Sequence, residues 1–235
     1  MSSLRRSAEV CARECLSDLQ LQRFGNRLRL APPVRSCTAS ERRHVKFAAH
    51  AASCGSRGRF AAGLQAELSA YNDLAARDAV DGVIIHTPKE DDKRLKRLNE
   101  LNLPYVVHGR STKSNEVYNW VDVNNESAFF RATEFLIDLG HRSIALLNGM
   151  ADLDFAIRRT KGYERALSKH QIDLVSDYIL YGEMTEPYGY RSTIALLDRP
   201  SPPTAIIASS ILVANGVRRG VEELGLKMGR DISIL

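Results

Sequence analysis

From residue 67 onward the chain repeats one pattern: a short apolar run, a stretch of helical periodicity, and another short apolar run. The apolar runs are DGVIIHT, LPYVVHG, WVDV, SIALLNG, DYILYG, TAIIAS and DISIL, all of strand length. The helical stretches are LSAYNDLAARDAV, PKEDDKRLKRLNEL, NNESAFFRATEFLIDLG, RRTKGYERALSKH, PYGYRSTIALLDR and ILVANGVRRGVEELG. Strands separated by helices are parallel, because a parallel pair needs a crossover that a tight turn cannot supply. The expected class is therefore α/β with parallel, doubly wound sheets. At 235 residues and 44% hydrophobic content the chain has enough apolar surface to fill such a core.

The first 60 residues lack this order. They show no sustained period of either kind, and their only aromatics are Phe24, Phe47 and Phe60. The net charge of +5 originates there. Residues 1–60 hold eleven Arg and one Lys against four acids, whereas residues 61–235 hold 21 basic residues against 24 acids. All four cysteines, Cys11, Cys15, Cys37 and Cys54, also fall in this segment, and with His44 or His50 they match no zinc-ligand spacing, so free thiols and no metal are expected. Two readings stay open for the segment: a stretch without fixed structure, or a start replaced through a frame shift. The end is equally abrupt, since DISIL stops inside a strand; the domain is expected to be incomplete at both ends. No run approaches the ~18 apolar residues of a membrane span, and the charges in MSSLRRSAEVCARECLSDLQ break any signal-peptide core. A cytoplasmic protein without a membrane partner is expected.

FLIDLGHRSIALLNG, residues 135–149, raises the question of chemistry at His141. The preceding helix aligns Ala128, Phe129, Ala132, Phe135, Leu136 and Leu139 on one face, and Gly140 stands where a helix ends in the left-handed conformation. A His or Arg just beyond can bond the last carbonyls and meet the negative end of the helix dipole. With no nucleophile elbow and no Asp placed to orient it, His141 reads as an architectural residue.

WVDVNNESAFFRATEFLIDLGHRSIALLNG resembles the sensor domain of the LacI/GalR transcriptional regulators, and the likeness continues through RRTKGYERAL, PPTAIIASSILVANGVRRGVEELGL and GRDISIL. VVHGRS and DFAIRRTKGY further resemble the α-glucoside regulators of that family. The resemblance implies a two-lobed domain of periplasmic-binding-protein type that closes on a sugar or glycoside effector and forms homodimers. It divides the chain into an atypical segment, 1–66, a partial first lobe, 67–123, and a second lobe, 124–235. In such regulators operator DNA is bound by an N-terminal helix-turn-helix. SLRRSAEVCARECLSDLQLQRFGNRLRL contains no recognisable one. Its arginines would give only salt-sensitive phosphate binding, which reads no sequence.

A polyol is held by planar polar groups at strand ends, with an apolar side chain over a sugar face. The resemblance places Arg159 in an Arg-x-x-Gly-aromatic slot, RTKGY, whose arginine faces the cleft, and a guanidinium bridges adjacent hydroxyls as an ammonium cannot. Ser210 takes the place of an Asn, with Ile211 where an Asp is usual. Met184 falls near a ligand-covering aromatic, Asn124 replaces a common Asp, and Asn148 and Asp154 flank the loop after SIALLNG. His86, His108 and Arg110 lie at strand ends of the first lobe, and for Arg110 pairing with a neighbouring lobe or loop is expected. No cofactor is expected: no Gly-x-Gly-x-x-Gly follows a strand, no phosphate-binding loop exists, and no carboxylate pair is apparent, so an enzyme is not expected. The alternative with the same fold is a sugar-binding protein of a transport system.

Overall fold

The computed structural model describes residues 47–50 and 63–235. The four cysteines, His44 and the stretch searched for a helix-turn-helix lie outside the described residues. In chain order the elements are β1 (Phe47–His50), α1 (Leu64–Ala76), β2 (Gly82–His86), α2 (Lys93–Glu100), β3 (Tyr105–His108) and β4 (Asn119–Val121) in the first lobe. The second lobe holds α3 (Asn125–Asp138), β5 (Ile144–Asn148), α4 (Asp154–Lys169), β6 (Ile179–Tyr181), α5 (Glu186–Leu197), β7 (Ala205–Ala208), α6 (Ile211–Glu223) and β8 (Ser233–Ile234). Two four-stranded sheets result, ordered β1-β2-β3-β4 and β6-β5-β7-β8, and every ladder is parallel. All seven expected strands and six expected helices are present. β1 is an addition: it pairs with β2 from within a segment whose sequence has no period.

β5 explains why the second lobe is wound on both sides. All five of its residues are buried, and alternate ones face opposite helix layers. Ala145 and Leu147 pack with Leu196, Val213, Val217 and Val221 of α5 and α6. Ile144 and Leu146 pack with Leu136, Ile137, Tyr163 and Leu167 of α3 and α4. Each such buried aliphatic side chain contributes about 2 kcal/mol. In the first lobe Val83, Ile85 and Val107 pack with Tyr71, Leu95 and Leu98.

The corner after α3 behaves as a helix stop. Gly140 sits at φ 95°, its N–H bonds the Ile137 carbonyl, and the His141 N–H bonds the Leu136 carbonyl, a Schellman arrangement. The side chains divide the work differently from the expectation. Arg142 caps the Ile137 carbonyl at 3.0 Å, while the His141 ring bridges Thr204 Oγ1 and Ser233 Oγ, both at 2.9 Å. His141 thus ties the corner to the strands that begin beside it.

α4 begins at Asp154, four residues before the helical stretch starts in the sequence reading. This early start carries Phe155, Arg158 and Arg159 on one continuous helix next to the strand ends.

Candidate functional site

The loop from Gly149 to Leu153 joins β5 to α4, and β6 and β7 flank β5 in the sheet. Open parallel sheets bind ligands at such carboxyl ends. Arg159, on the second turn of α4, occupies the middle. Its Nε donates to Asn125 Oδ1 at 2.8 Å and its Nη1 to the Ser209 carbonyl at 3.0 Å, with Met184 Sδ 4.0 Å from Nη1. The guanidinium lies 4.6 Å from the Phe155 ring centroid and 4.8 Å from that of Phe129. Burial pulls its pKa down to about 10, against the attraction of Asp122 and with the help of Arg158. All of its direct partners are neutral. Among the described residues Nη2 has no hydrogen-bond partner, so one edge of a fixed cation remains to donate.

Met184 closes one side of this cluster: a Cβ at Gly149 would lie 3.7 Å from its sulfur and 2.8 Å from the Phe155 ring. Phe155 and Phe129 were not among the expected site residues. Their signal was present, since Phe155 and Arg159 are four apart and share a helix face. Ser210 caps α6, its Oγ accepting from Val213 N at 3.3 Å. Its neighbour Ser209 has a buried hydroxyl without a partner among the described residues. Asn124 caps α3, accepting from Ser127 N at 3.0 Å, with its side chain exposed.

Asn148 and Asp154 support the site from behind. Asn148 is fully buried: its Nδ2 donates to the Ala156 carbonyl at 2.8 Å and to Thr160 Oγ1 at 3.1 Å, and its Oδ1 accepts from Gly149 N. It fastens the end of β5 to α4. Asp154, also fully buried, accepts from the backbone and hydroxyl of Thr112 and from Arg158 Nε at 2.6 Å.

Those contacts belong to a seam between the lobes. Arg158 Nη2 reaches Asp122 Oδ2 at 2.5 Å, and Arg110 Nε donates to the same oxygen at 3.2 Å. Arg110 therefore pairs with the crossover segment that enters the second lobe. Asp154 N bonds the Pro88 carbonyl at 3.1 Å, and Lys89 pairs with Asp152 at 2.7 Å. His86 and His108 stand edge to face, their Nδ1 atoms 3.2 Å apart. Among the described residues no group of three or more His, Cys, Asp or Glu is placed to hold a metal ion. A depression of about 640 Å³ on the flank of α2, lined by Lys93, Lys96, Lys113 and Glu116 among others, includes none of the expected site residues.

Residues 60–235 match the family described as periplasmic binding proteins and the sugar-binding domain of the LacI family. Among curated relatives the chain is 43% identical over 169 residues to the HTH-type transcriptional regulator AglR of Rhizobium meliloti (strain 1021), covering 72% of this chain and 48% of that one. It is 29% identical to catabolite control protein A of Priestia megaterium, over 72% of this chain and 51% of the other. Among solved structures, a LacI-family regulatory protein of Chloroflexus aggregans superposes with a TM-score of 0.62 at 33% identity, over 72% of this chain and 60% of that one. A structure described as the transcriptional regulator CelR–cellobiose complex superposes with a TM-score of 0.65 at 28% identity, over 73% and 53%. The chain spans about half the length of the curated relatives it matches. These relatives are transcriptional regulators, and no helix of the described residues is long and apolar enough to cross a membrane. With residues 60–235, three quarters of its length, matched by this family, the chain belongs to the periplasmic binding proteins and sugar-binding domains of the LacI family.

Proposed function

We propose that this chain is the effector-sensing part of a LacI-type transcriptional regulator, and that it binds a sugar or glycoside at the strand ends around Arg159. The observation that carries the reading is the arginine itself: a guanidinium oriented by Asn125, Ser209, Phe155 and Phe129, with a donor edge left over. Vicinal hydroxyls fit that edge, and Met184 and Phe155 offer apolar surface for the carbon face of a sugar ring. Ser210 and Asn124 flank the contact, while Asn148 and Asp154 shape its wall. The regulator works in the cytoplasm as a homodimer and reaches operator DNA through a helix-turn-helix that is not recognisable in this sequence. Regulator relatives favour this over a transport protein of the same fold, and the cellobiose complex of a structural neighbour supports a saccharide effector.

Titrating the chain with maltose, sucrose, trehalose and cellobiose by calorimetry tests this. At least one is expected to bind without being cleaved, and Arg159→Ala is expected to weaken it at least ~tenfold, as loss of a charge-assisted contact does. Unchanged affinity in Arg159→Ala overturns the site.

A further inference from the structure

Arg159 is aimed by a neutral side chain, and that choice has a consequence. Asn125 is 97% buried in the first turn of α3. Its Oδ1 accepts from Arg159 Nε at 2.8 Å, while its Nδ2 donates to Asp122 Oδ1 and to the Val123 carbonyl, both at 3.2 Å. The amide can sit only one way round, because a flip would set its NH2 against the guanidinium and its oxygen against a carboxylate. The other oxygen of Asp122 receives Arg110 and Arg158, and Arg110 lies 4.9 Å from the ring centroid of Trp120, the single tryptophan of the chain.

We infer that Asn125 is a positioning residue that aims Arg159 and couples it, through Asp122, to the Arg110–Trp120 contact at the junction of the lobes. The inference rests on the effector reading only for the ligand that would move Arg159. An aspartate at 125 would grip the arginine harder, but it would also neutralise the charge a ligand is to meet. The asparagine fixes direction and leaves the charge. A ligand that draws on Nη2 pulls against Asn125, Asn125 pulls on Asp122, and the strain arrives where Arg110 covers Trp120.

The test follows the arginine Nε–H signals of the full ¹⁵N-labelled chain by NMR, with the Arg159 signal identified by its loss in Arg159→Lys. In the parent chain this proton is expected to be protected from solvent exchange. In Asn125→Ala it should exchange at least ~tenfold faster while the Arg110 signal stays in place, in keeping with the loss of a buried hydrogen bond to a charged group. Asn125→Asp keeps the acceptor but sets a second carboxylate against Asp122; in the variant shown to be folded by its circular dichroism, Arg159 Nε–H should stay protected while Trp120 emission shifts. A protected proton in Asn125→Ala, or an unprotected one in Asn125→Asp, overturns the positioning role. Addition of a saccharide that binds should change Trp120 emission in the parent chain and leave it unchanged in Asn125→Asp; binding without an emission change in the parent overturns the coupling. If none of the four sugars binds, the effector reading fails, and the exchange measurement still decides the role of Asn125.

Discussion

One oxygen of the Asp154 carboxylate accepts two hydrogen bonds from Thr112, from its backbone N–H at 2.9 Å and from its hydroxyl at 2.5 Å. The two residues lie in different lobes, and the second carboxylate oxygen holds Arg158 Nε at 2.6 Å. Arg158 is itself buried, with Nη1 unpartnered among the described residues, so it depends on Asp154 and Asp122 to balance its charge. Removing one carboxylate from a buried pair leaves the other charge stranded. Asp154→Ala is therefore expected to lower the unfolding free energy by about 3 kcal/mol. Urea unfolding followed by Trp120 emission measures it, and a loss below ~1 kcal/mol, the value of an exposed pair, would show that the seam is not a structural joint.

Gly162 sets the distance between α3 and α4. A Cβ there would stand 2.1 Å from the Glu126 carbonyl oxygen and 2.9 Å from the Phe130 nitrogen, both backbone atoms that cannot swing aside. Gly162→Ala should thus separate the helices and destabilise the second lobe by roughly 3 kcal/mol, the upper range of overpacking. Gly140 is the contrast: it is left-handed, with open space around it, so Gly140→Ala should cost only ~1 kcal/mol of backbone strain. Thermal unfolding of the two variants checks the order, and equal melting temperatures would refute it.

The periodic part of the chain was legible because its strands are buried on both faces and its helices carry one apolar stripe each. β5 reads as SIALLNG for that reason, and Gly140 reads as a helix stop because few other residues accept φ 95°. Arg159, singled out through the family resemblance of its RTKGY setting, lies in contact with Asn125, Ser209 and Met184. Its surroundings were less legible. Asn148 and Asp154 have the chemistry of ligand contacts, but their bonds run to Ala156, Thr160, Thr112 and Arg158, and three-dimensional partners of that kind leave no local pattern. β1 was missed because four residues between aperiodic neighbours give no alternation to count. Asn125 was overlooked beside Asn124 although only the second of the pair reaches inward.

Alkaline pH should loosen the core. Burial raises the phenol of Tyr71 to about 12, that of Tyr188 to about 12 and that of Tyr163 higher still. Tyr163 and Tyr188 donate to the Ile144 and Leu180 carbonyls, which requires the protonated form. A folded-state pKa above the unfolded value of 10 means that the stabilisation is complete below pH 10 and is lost as pH rises from 10 to 12. Arg159 acts in the opposite sense, because its folded value of about 10 lies below the ordinary 12.5 and its desolvation penalty is relieved over the same range. Three tyrosines outweigh one arginine. Urea midpoints are therefore expected to fall steadily above pH 10, with tyrosine ionisation at 295 nm lagging behind that of the urea-unfolded chain; coincident titrations would contradict the burial of these phenols.

Arg159 carries a conflict between folding and binding that a single substitution can expose. Its guanidinium is largely removed from water, its direct partners are a neutral amide, a carbonyl and a thioether, and its pKa is drawn down to about 10. A largely buried charge with no carboxylate in direct contact, and only the more distant Asp122 to attract it, is retained at an energetic penalty, and a site that must receive a ligand is where such a penalty persists. Methionine has a similar length, needs no hydrogen bond, and would pack between Phe129 and Phe155 with favourable sulfur–aromatic contacts. Arg159→Met is expected to raise the unfolding free energy by about 1 kcal/mol, although Asn125 Oδ1 loses its donor and reduces the gain. The same variant should lose saccharide binding, since no donor edge remains. Urea unfolding and calorimetry on one preparation measure both effects. A variant that is both less stable and still able to bind would mean that the arginine serves the fold and that the ligand is held elsewhere.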